Sequence, residues 1–135
     1  MVLVIYENDE DIDEVAVGSY SDFGALRDYI VRELEHGRPG SRFPTFIRHS
    51  DCDGEWTVDE CDDLRSELWL IAAEMQARPA IPFPSQWQAQ VSHDRGLRPD
   101  SAYQCFVDPN AQPVIGEIAR LVDLALKKGL PISFQ

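Results

Sequence analysis

Apolar and polar residues alternate along the chain at two different spacings, which predict both strands and helices. The β-branched run "VLVIY" (2–6) predicts a first strand, and the alternating "EVAVGSY" (14–20) predicts a second. The polar, acidic segment 7–14 between them is expected to be the loop of an N-terminal hairpin. A short segment with aromatic and β-branched residues predicts a central strand at 45–49, and the apolar residues of 131–135 predict a C-terminal strand.

Helical spacing of apolar residues predicts one long helix and several shorter ones. The long helix follows a capping box formed by Thr57 and Glu60, and its apolar stripe continues to Met75. The other predicted helical segments run from a cap at Ser21 to Glu35, from Ser85 to Gly96, through a turn at Ser101 to Phe106, and from Pro113 to Gly129. The pattern indicates a single α+β domain over 1–135, with a small, partly antiparallel sheet covered by three to four helices.

The charge of the chain narrows the range of partners. It has 135 residues with 24 acidic and 12 basic side chains, so its formal net charge is −12. Residues 7–14 hold six acids and no base, and residues 51–63 hold seven acids and no base. Such a field repels nucleic acid and anionic membranes and attracts basic proteins. We therefore expect a basic protein partner, and neither nucleic acid nor membrane.

Cysteine use and the N-terminal segment indicate a cytoplasmic protein. The three cysteines are odd in number and lack the C-x-x-C spacing of a disulfide framework or a zinc ribbon. The first residues have no basic segment of the kind that opens a signal peptide. No apolar run approaches the roughly 18 residues that a membrane-spanning helix needs.

The segment "HSDCDGEW" (49–56) partly matches a calcium-binding loop. Asp51, Asp53 and Glu55 stand where the first three oxygen ligands would be. Gly54, however, falls at loop position 4 instead of 6, and position 12 is Asp62 instead of the bidentate glutamate. A zinc site built from the His and Cys residues of this region would have irregular spacing. We expect no metal site and no cofactor.

The usual catalytic motifs are missing from the sequence. "GSYSDF" (18–23) lacks the G-x-S-x-G pattern of a nucleophile elbow, and no P-loop, G-x-G-x-x-G or H-E-x-x-H motif occurs. Paired carboxylates of a small hydrolase stay open, because an acidic chain offers many such pairs. The sequence therefore names no catalytic residue and favours a protein that is not an enzyme.

A binding surface is the remaining interpretation of the acidic segments. Trp56 beside Asp51, Asp53 and Glu55 forms an aromatic residue with charged neighbours, a combination found at interaction hot spots. The alternative, that Trp56 packs beneath the turn, stays open at this point. The second candidate surface is the acidic part of the hairpin, with Asp9, Glu10, Asp11 and Asp13.

Three stretches of the chain resemble a known family. "GSYSDFGALRDYI" (18–30), "LEHGRPGSRFPTFIRHSDCDGEW" (34–56) and the terminal "PISFQ" (131–135) are similar to small bacterial immunity proteins of polymorphic toxin systems. The similarity is densest over 18–56, and its most specific element is "GSRFPT" followed by "HSDCDGEW".

The resemblance implies a protein that binds and neutralises a cognate toxin without catalysis. It does not supply a set of residues that contact the toxin. The charge of −12 suggests a basic toxin, for example a nuclease, whose basic groove an acidic protein would cover. Two alternatives stay open, namely a regulatory or adaptor domain with another basic partner and a small metal-dependent hydrolase.

Overall fold

The chain forms a four-stranded antiparallel sheet and five α-helices, as seen in the computed structural model, which describes residues 1–135. The strands are β1 (Val2–Glu7), β2 (Glu10–Ala16), β3 (Glu55–Trp56) and β4 (Ile132–Phe134), in the spatial order β2-β1-β4-β3. The helices are α1 (Tyr20–Tyr29, continued by a π-helical turn at Ile30–Leu34), α2 (Pro44–Arg48), α3 (Val58–Gln76), α4 (Gln86–Asp94) and α5 (Val114–Lys128). A 3₁₀ turn covers Ala102–Cys105. The predicted α+β class is confirmed.

The sheet packs one face against α3 and α5. Alternation along β1 turns Leu3 and Ile5 into this core, and the terminal strand adds Ile132 and Phe134. A single cluster of 28 buried residues joins the sheet to the helices. None of the helices combines the length and the apolar character that crossing a membrane requires.

Local sequence signals place the ends of the two longest helices as predicted. The Thr57 hydroxyl accepts a hydrogen bond from the Glu60 amide at 3.2 Å, and the Glu60 carboxylate accepts one from the Thr57 amide at 3.1 Å. These two bonds form the predicted capping box of α3. Helix α5 ends at Gly129, whose φ of 68° lies in the left-handed region that glycine adopts without strain.

The hairpin is confirmed, but its acidic segment is not a loop. Strand β2 already starts at Glu10, so most of the segment 7–14 is paired with β1. The turn consists of Asn8 and Asp9 alone, both with positive φ (54° and 65°), as the two-residue turns that match strand twist require. The prediction of a long acidic loop was wrong because this short turn is sufficient.

The cap of α1 lies two residues earlier than predicted. Ser19, and not Ser21, accepts the Asp22 amide at 3.1 Å, while the Asp22 carboxylate accepts the Ser19 amide at 2.8 Å. This reciprocal pair satisfies two amide groups that a helix start leaves without partners.

The predicted central strand at 45–49 is instead the short helix α2. Pro44 takes its first position, where the missing N–H of proline is no loss. The buried carboxylate of Glu67, on α3, accepts the amides of Thr45 at 3.2 Å and Phe46 at 3.0 Å. These amides have no partner within the helix, so a side chain 22 positions away in sequence supplies the cap. Residues 45–49 therefore contribute no strand to the sheet. Strand β3 lies later in the chain, at Glu55–Trp56, and forms one edge of the sheet.

A second buried carboxylate organises the loop that precedes α2. Glu35 is only 1% exposed and accepts the amides of Gly40 at 3.0 Å, Arg42 at 2.9 Å and Phe43 at 2.9 Å. A charged carboxylate with several amide donors is a favourable buried arrangement, because each bond to it is charge-assisted. The specific "GSRFPT" segment is therefore fixed by backbone hydrogen bonds to two carboxylates, those of Glu35 and Glu67.

Replacing Glu67 tests its role as the cap of α2. We expect Glu67→Ala to lower the free energy of unfolding by about 1–3 kcal/mol, since two buried amides lose their acceptor. Glu67→Gln keeps one acceptor oxygen and is expected to lose less. Urea unfolding followed by circular dichroism measures both, and Glu60→Ala at the exposed cap of α3 is the comparison. Equal stability of Glu67→Ala and the wild type would contradict this role.

Candidate interaction surface

Trp56 is fully buried and anchors the end of the "HSDCDGEW" segment. Its side chain is 0% exposed, and its indole N–H donates to the Thr45 carbonyl oxygen at 3.1 Å. The ring packs edge-on against Phe134 with centroids 4.6 Å apart, and stacks on Phe46 at 6.1 Å. Of the two interpretations of Trp56 left open by the sequence, the structure shows packing beneath the turn.

His49 holds the other side of the same segment. Its ring stacks on Phe134 with centroids 4.2 Å apart. Its Nδ1 lies 2.6 Å from the Ser50 carbonyl oxygen, and its Nε2 lies 2.9 Å from the Glu55 carbonyl oxygen. The imidazole thus bridges the start and the end of residues 50–55, which we call the acidic loop. Each ring nitrogen faces a backbone carbonyl oxygen, so whichever nitrogen carries the N–H donates to the loop backbone.

Arg27 on α1 supports the acidic loop from the inside. Its guanidinium donates to the carbonyl oxygens of Phe46 (2.7 Å from Nη2) and His49 (2.8 Å), groups that the end of a helix leaves unsatisfied. Burial lowers the pKa of Arg27, and the nearby carboxylate of Asp51 raises it. Asp51 is half-buried and lies near this guanidinium, whereas Asp53 and Glu55 are exposed, and neither of these two has an ion-pair partner.

The acids of the hairpin differ in how available they are. Asp9, Glu10 and Asp11 are exposed and unpaired. Asp13 instead accepts from Arg120 of α5 at 2.6 Å, and this hydrogen bond raises the pKa of Arg120. Asp13 therefore lies on the core-facing side of the sheet, and its charge is already compensated.

The sheet relates the two acidic segments to each other. Glu14 pairs with Val4, Val4 with Ser133, and Ser133 with Glu55, so these four residues form one row across all four strands. Val4 lies outside the core cluster, between the inward Leu3 and Ile5, which places this row on the outer face of the sheet. Neighbouring strands lie about 4.8 Å apart, so Glu14 and Glu55 are roughly 14 Å from each other. The two segments, distant in sequence, thus border one face.

Three acids of α3 extend the acidic loop beyond the predicted residues. Asp59, Asp62 and Asp63 lie four to eight residues after Glu55 and are exposed. They also lie in the first two turns of the helix, where a negative charge is favourable to the helix dipole. We call seven exposed acids without an ion-pair partner, taken from β2, the acidic loop and the start of α3, the acidic band: Asp11, Glu14, Asp53, Glu55, Asp59, Asp62 and Asp63.

Neither a group of metal ligands nor an activated thiol accompanies the band. No three His, Cys, Asp or Glu side chains lie together so that they could hold a metal ion. Burial raises the pKa of the Cys61 thiol to about 11, and that of Cys105 is also raised by burial, so both stay protonated at neutral pH. What the band supplies is a negative field on a surface whose backbone is fixed by Trp56, His49 and Arg27.

The sequence patterns did not single out one strongly exposed tryptophan. Trp69 of α3 is 73% exposed and Leu70 beside it is 43% exposed, the former being the most exposed large apolar side chain of the chain. A signal was present, because the buried stripe of α3 runs through Leu64, Leu68 and Ile71 and leaves position 69 on the opposite side. A single exposed apolar residue is ordinary, but Trp69 adjoins Leu70 and an apolar groove, and a contiguous exposed apolar patch of this kind is typical of an interaction site.

The family of the chain follows from a comparison with protein-family models. The model described as Immunity protein 70 matches residues 5–134, nearly the full length. No curated protein and no solved structure matches the chain. This family is one of the immunity proteins of polymorphic toxin systems, which act by binding a cognate toxin. Because this match covers 130 residues of the chain, the chain belongs to the Immunity protein 70 family.

Proposed function

We propose that the chain neutralises its cognate toxin by laying the acidic band over a basic surface of that toxin, without catalysing a reaction. The observation that carries this proposal is the distribution of charge. The band has no basic residue in its strands or in residues 51–63, and its acids are exposed and unpaired. Of the twelve basic side chains elsewhere, six form ion pairs with acids, for example Arg42 with Glu74 and Arg120 with Asp13.

The charge of the band suits rapid capture of a basic protein. Complementary potentials raise association rates by 10–1,000-fold over those of neutral surfaces. An immunity protein has to bind before its toxin acts, so a fast encounter is a direct advantage. Asp53 and Glu55 lie in the middle of the band and on a rigid support, since Trp56 and His49 hold the backbone on both sides.

A nuclease is the class of toxin that this surface fits best. Nucleases bind the phosphate backbone through lysine and arginine side chains, so their substrate groove is strongly positive. A band of fixed carboxylates would occupy the same positions as phosphates and exclude the substrate. At the hairpin end, Asp9 and Glu10 offer a second patch of the same sign next to Asp11 of the band, and the half-buried Asp51 adds a further negative charge in the acidic loop.

Charge reversal tests the band. We expect Asp53→Lys with Glu55→Lys to slow association with the toxin by on the order of tenfold at low ionic strength, because both carboxylates face solvent at its centre. Asp51 is left unchanged, since it is half-buried, whereas Asp53 and Glu55 are exposed. The difference from the wild type should fade near 1 M salt, where the screening length is about 3 Å. Stopped-flow fluorescence or surface plasmon resonance measures these rates.

The matched control for charge reversal is Asp94→Lys with Asp100→Lys. Both residues are exposed and lie outside the band, and the change in net charge is the same. We expect a much smaller effect from the control, since only the local field differs. Equal slowing by both variants would show that net charge alone acts, and no slowing by either would contradict the proposal.

Competition with nucleic acid tests the nuclease assignment. A catalytically inactive toxin is incubated with a fluorescent oligonucleotide duplex, and the wild-type chain is added at increasing concentration. We expect the loss of duplex anisotropy to follow the concentration of the toxin complex, since both ligands need the same basic surface. A ternary complex of toxin, duplex and immunity protein would contradict occlusion while leaving toxin binding intact.

A further inference from the structure

A groove lies beside Trp69, between the solvent-facing sides of α3 and α5. It has a volume of about 700 Å³. Its apolar lining consists of Leu68, Trp69, Leu70, Ala72, Tyr103 and Ala119. Trp69 is the outermost of these side chains, with 73% of its surface exposed. An aromatic side chain of this size carries roughly 150–250 Å² of surface, most of it left in contact with water here.

The edge of this groove is acidic. Asp62 and Asp123 contribute to its lining, and Asp59 and Asp63 lie further along the exposed side of α3. The one cation in the lining, Arg65, is paired with Asp123 at 3.3 Å. The groove therefore combines an apolar floor and a protruding tryptophan with a negative rim. This combination is complementary to an apolar side chain presented on a basic surface.

The groove is continuous with the acidic band. Helix α3 rises 1.5 Å per residue, so Trp69 lies about 15 Å along the axis from Asp59. A standard interface covers about 800 Å² on each partner, which is wide enough to include both. Asp62 belongs to both surfaces, since it lines the groove and is part of the band. A single partner can thus contact the acids and the groove together.

We infer that the groove beside Trp69 is the anchoring site for the cognate toxin, which would then extend from this groove over the α3 end of the acidic band, including Asp53 and Glu55. This inference rests on the proposed function, because the toxin is taken to be basic. A second copy of the chain is the poorer occupant, since each copy has a net charge of −12 and the rim would meet another acidic rim. The toxin contributes an apolar or arginine side chain to the groove, and its basic surface covers the acids beside it.

The anchor and the acids are expected to affect different rates. Buried aromatic anchors at the centre of an interface control dissociation, while charges at its rim control association and its dependence on salt. Trp69→Ala is therefore expected to weaken toxin binding by about 30-fold or more, through faster dissociation at both low and high salt. Because Trp69 is 73% exposed, the urea midpoint of the free variant should stay at the wild-type value.

Tyr20→Ala is the matched control for the anchor. Tyr20 is an exposed aromatic residue, 47% accessible, at the start of α1 and outside the groove. We expect its removal to leave both rates unchanged. A second comparison uses two double variants. The first combines Asp62→Lys and Asp63→Lys on α3, and the second combines Asp11→Lys and Glu14→Lys on β2. The double variant on α3 should slow association more.

The outcomes separate this inference from the proposed function. If Trp69→Ala binds like the wild type while Asp53→Lys with Glu55→Lys binds slowly, the anchoring site is refuted and the acidic band stands. If Trp69→Ala dissociates quickly while charge reversal has no effect, the groove is supported and the band is refuted. If sedimentation shows a dimer of the free chain that Trp69→Ala abolishes, a second copy occupies the groove and the inference is overturned.

Discussion

The surface of this protein depends on a small group of buried polar contacts beneath the segment from Gly40 to Trp56. Glu35 and Glu67 accept five backbone amides of that segment between them, and the Trp56 indole donates to the Thr45 carbonyl. A backbone that runs through the core without forming strands needs such partners, because an unpaired buried amide is costly. In a chain with 24 acids, these two are used inside as acceptors, while those of the band remain outside.

This support has a direct consequence for binding. Association always loses conformational entropy at the interface, and less is lost when the contacting backbone is already fixed. The acidic loop is fixed on one side by the stacking of His49 on Phe134 and on the other by the burial of Trp56. Arg27 adds a third attachment through the carbonyls at the end of α2. The carboxylate of Glu55 therefore projects from the edge strand β3, and that of Asp53 from the acidic loop beside it, whose backbone is attached at both ends.

Several local signals in the sequence were sufficient, although the cap of α1 at Ser19 and the short hairpin turn, which are also local, were missed. The capping box at Thr57, the left-handed Gly129 and the terminal strand are each specified by neighbouring residues, and all three were predicted. Helix α2 was not predicted, because its cap comes from Glu67, far along the chain, and the aromatic and β-branched residues Thr45, Phe46 and Ile47 fit a strand equally well. The hairpin turn was available in the sequence as Asn8-Asp9, but the acidity of the following residues suggested a loop. Local propensity predicts an element, and distant partners decide between elements of similar propensity.

At the candidate surface, too, local features were visible in the sequence and long-range contacts were not. Clustering of acids in 7–14 and 51–63 was visible in the sequence, but which acids are free was not, because Asp13 meets Arg120 across 107 positions. Equally, only the three-dimensional structure places Glu14 and Glu55 in one row and Trp69 on the outside of α3.

Charge and shape have complementary parts in recognition by such a protein. A negative field attracts any basic protein, so it raises the rate of encounter without choosing well between partners. Discrimination requires a contact that only one partner satisfies, and a protruding aromatic side chain beside a groove is a contact of that kind. Keeping the acids on the edge of the sheet and in the first turns of α3, with Trp69 further along the same helix, lets the field guide a partner toward the groove. The long capped helix α3 is then the element that connects capture with selection, because its first turns carry the charge, its inner stripe forms the core and its outer side carries the tryptophan.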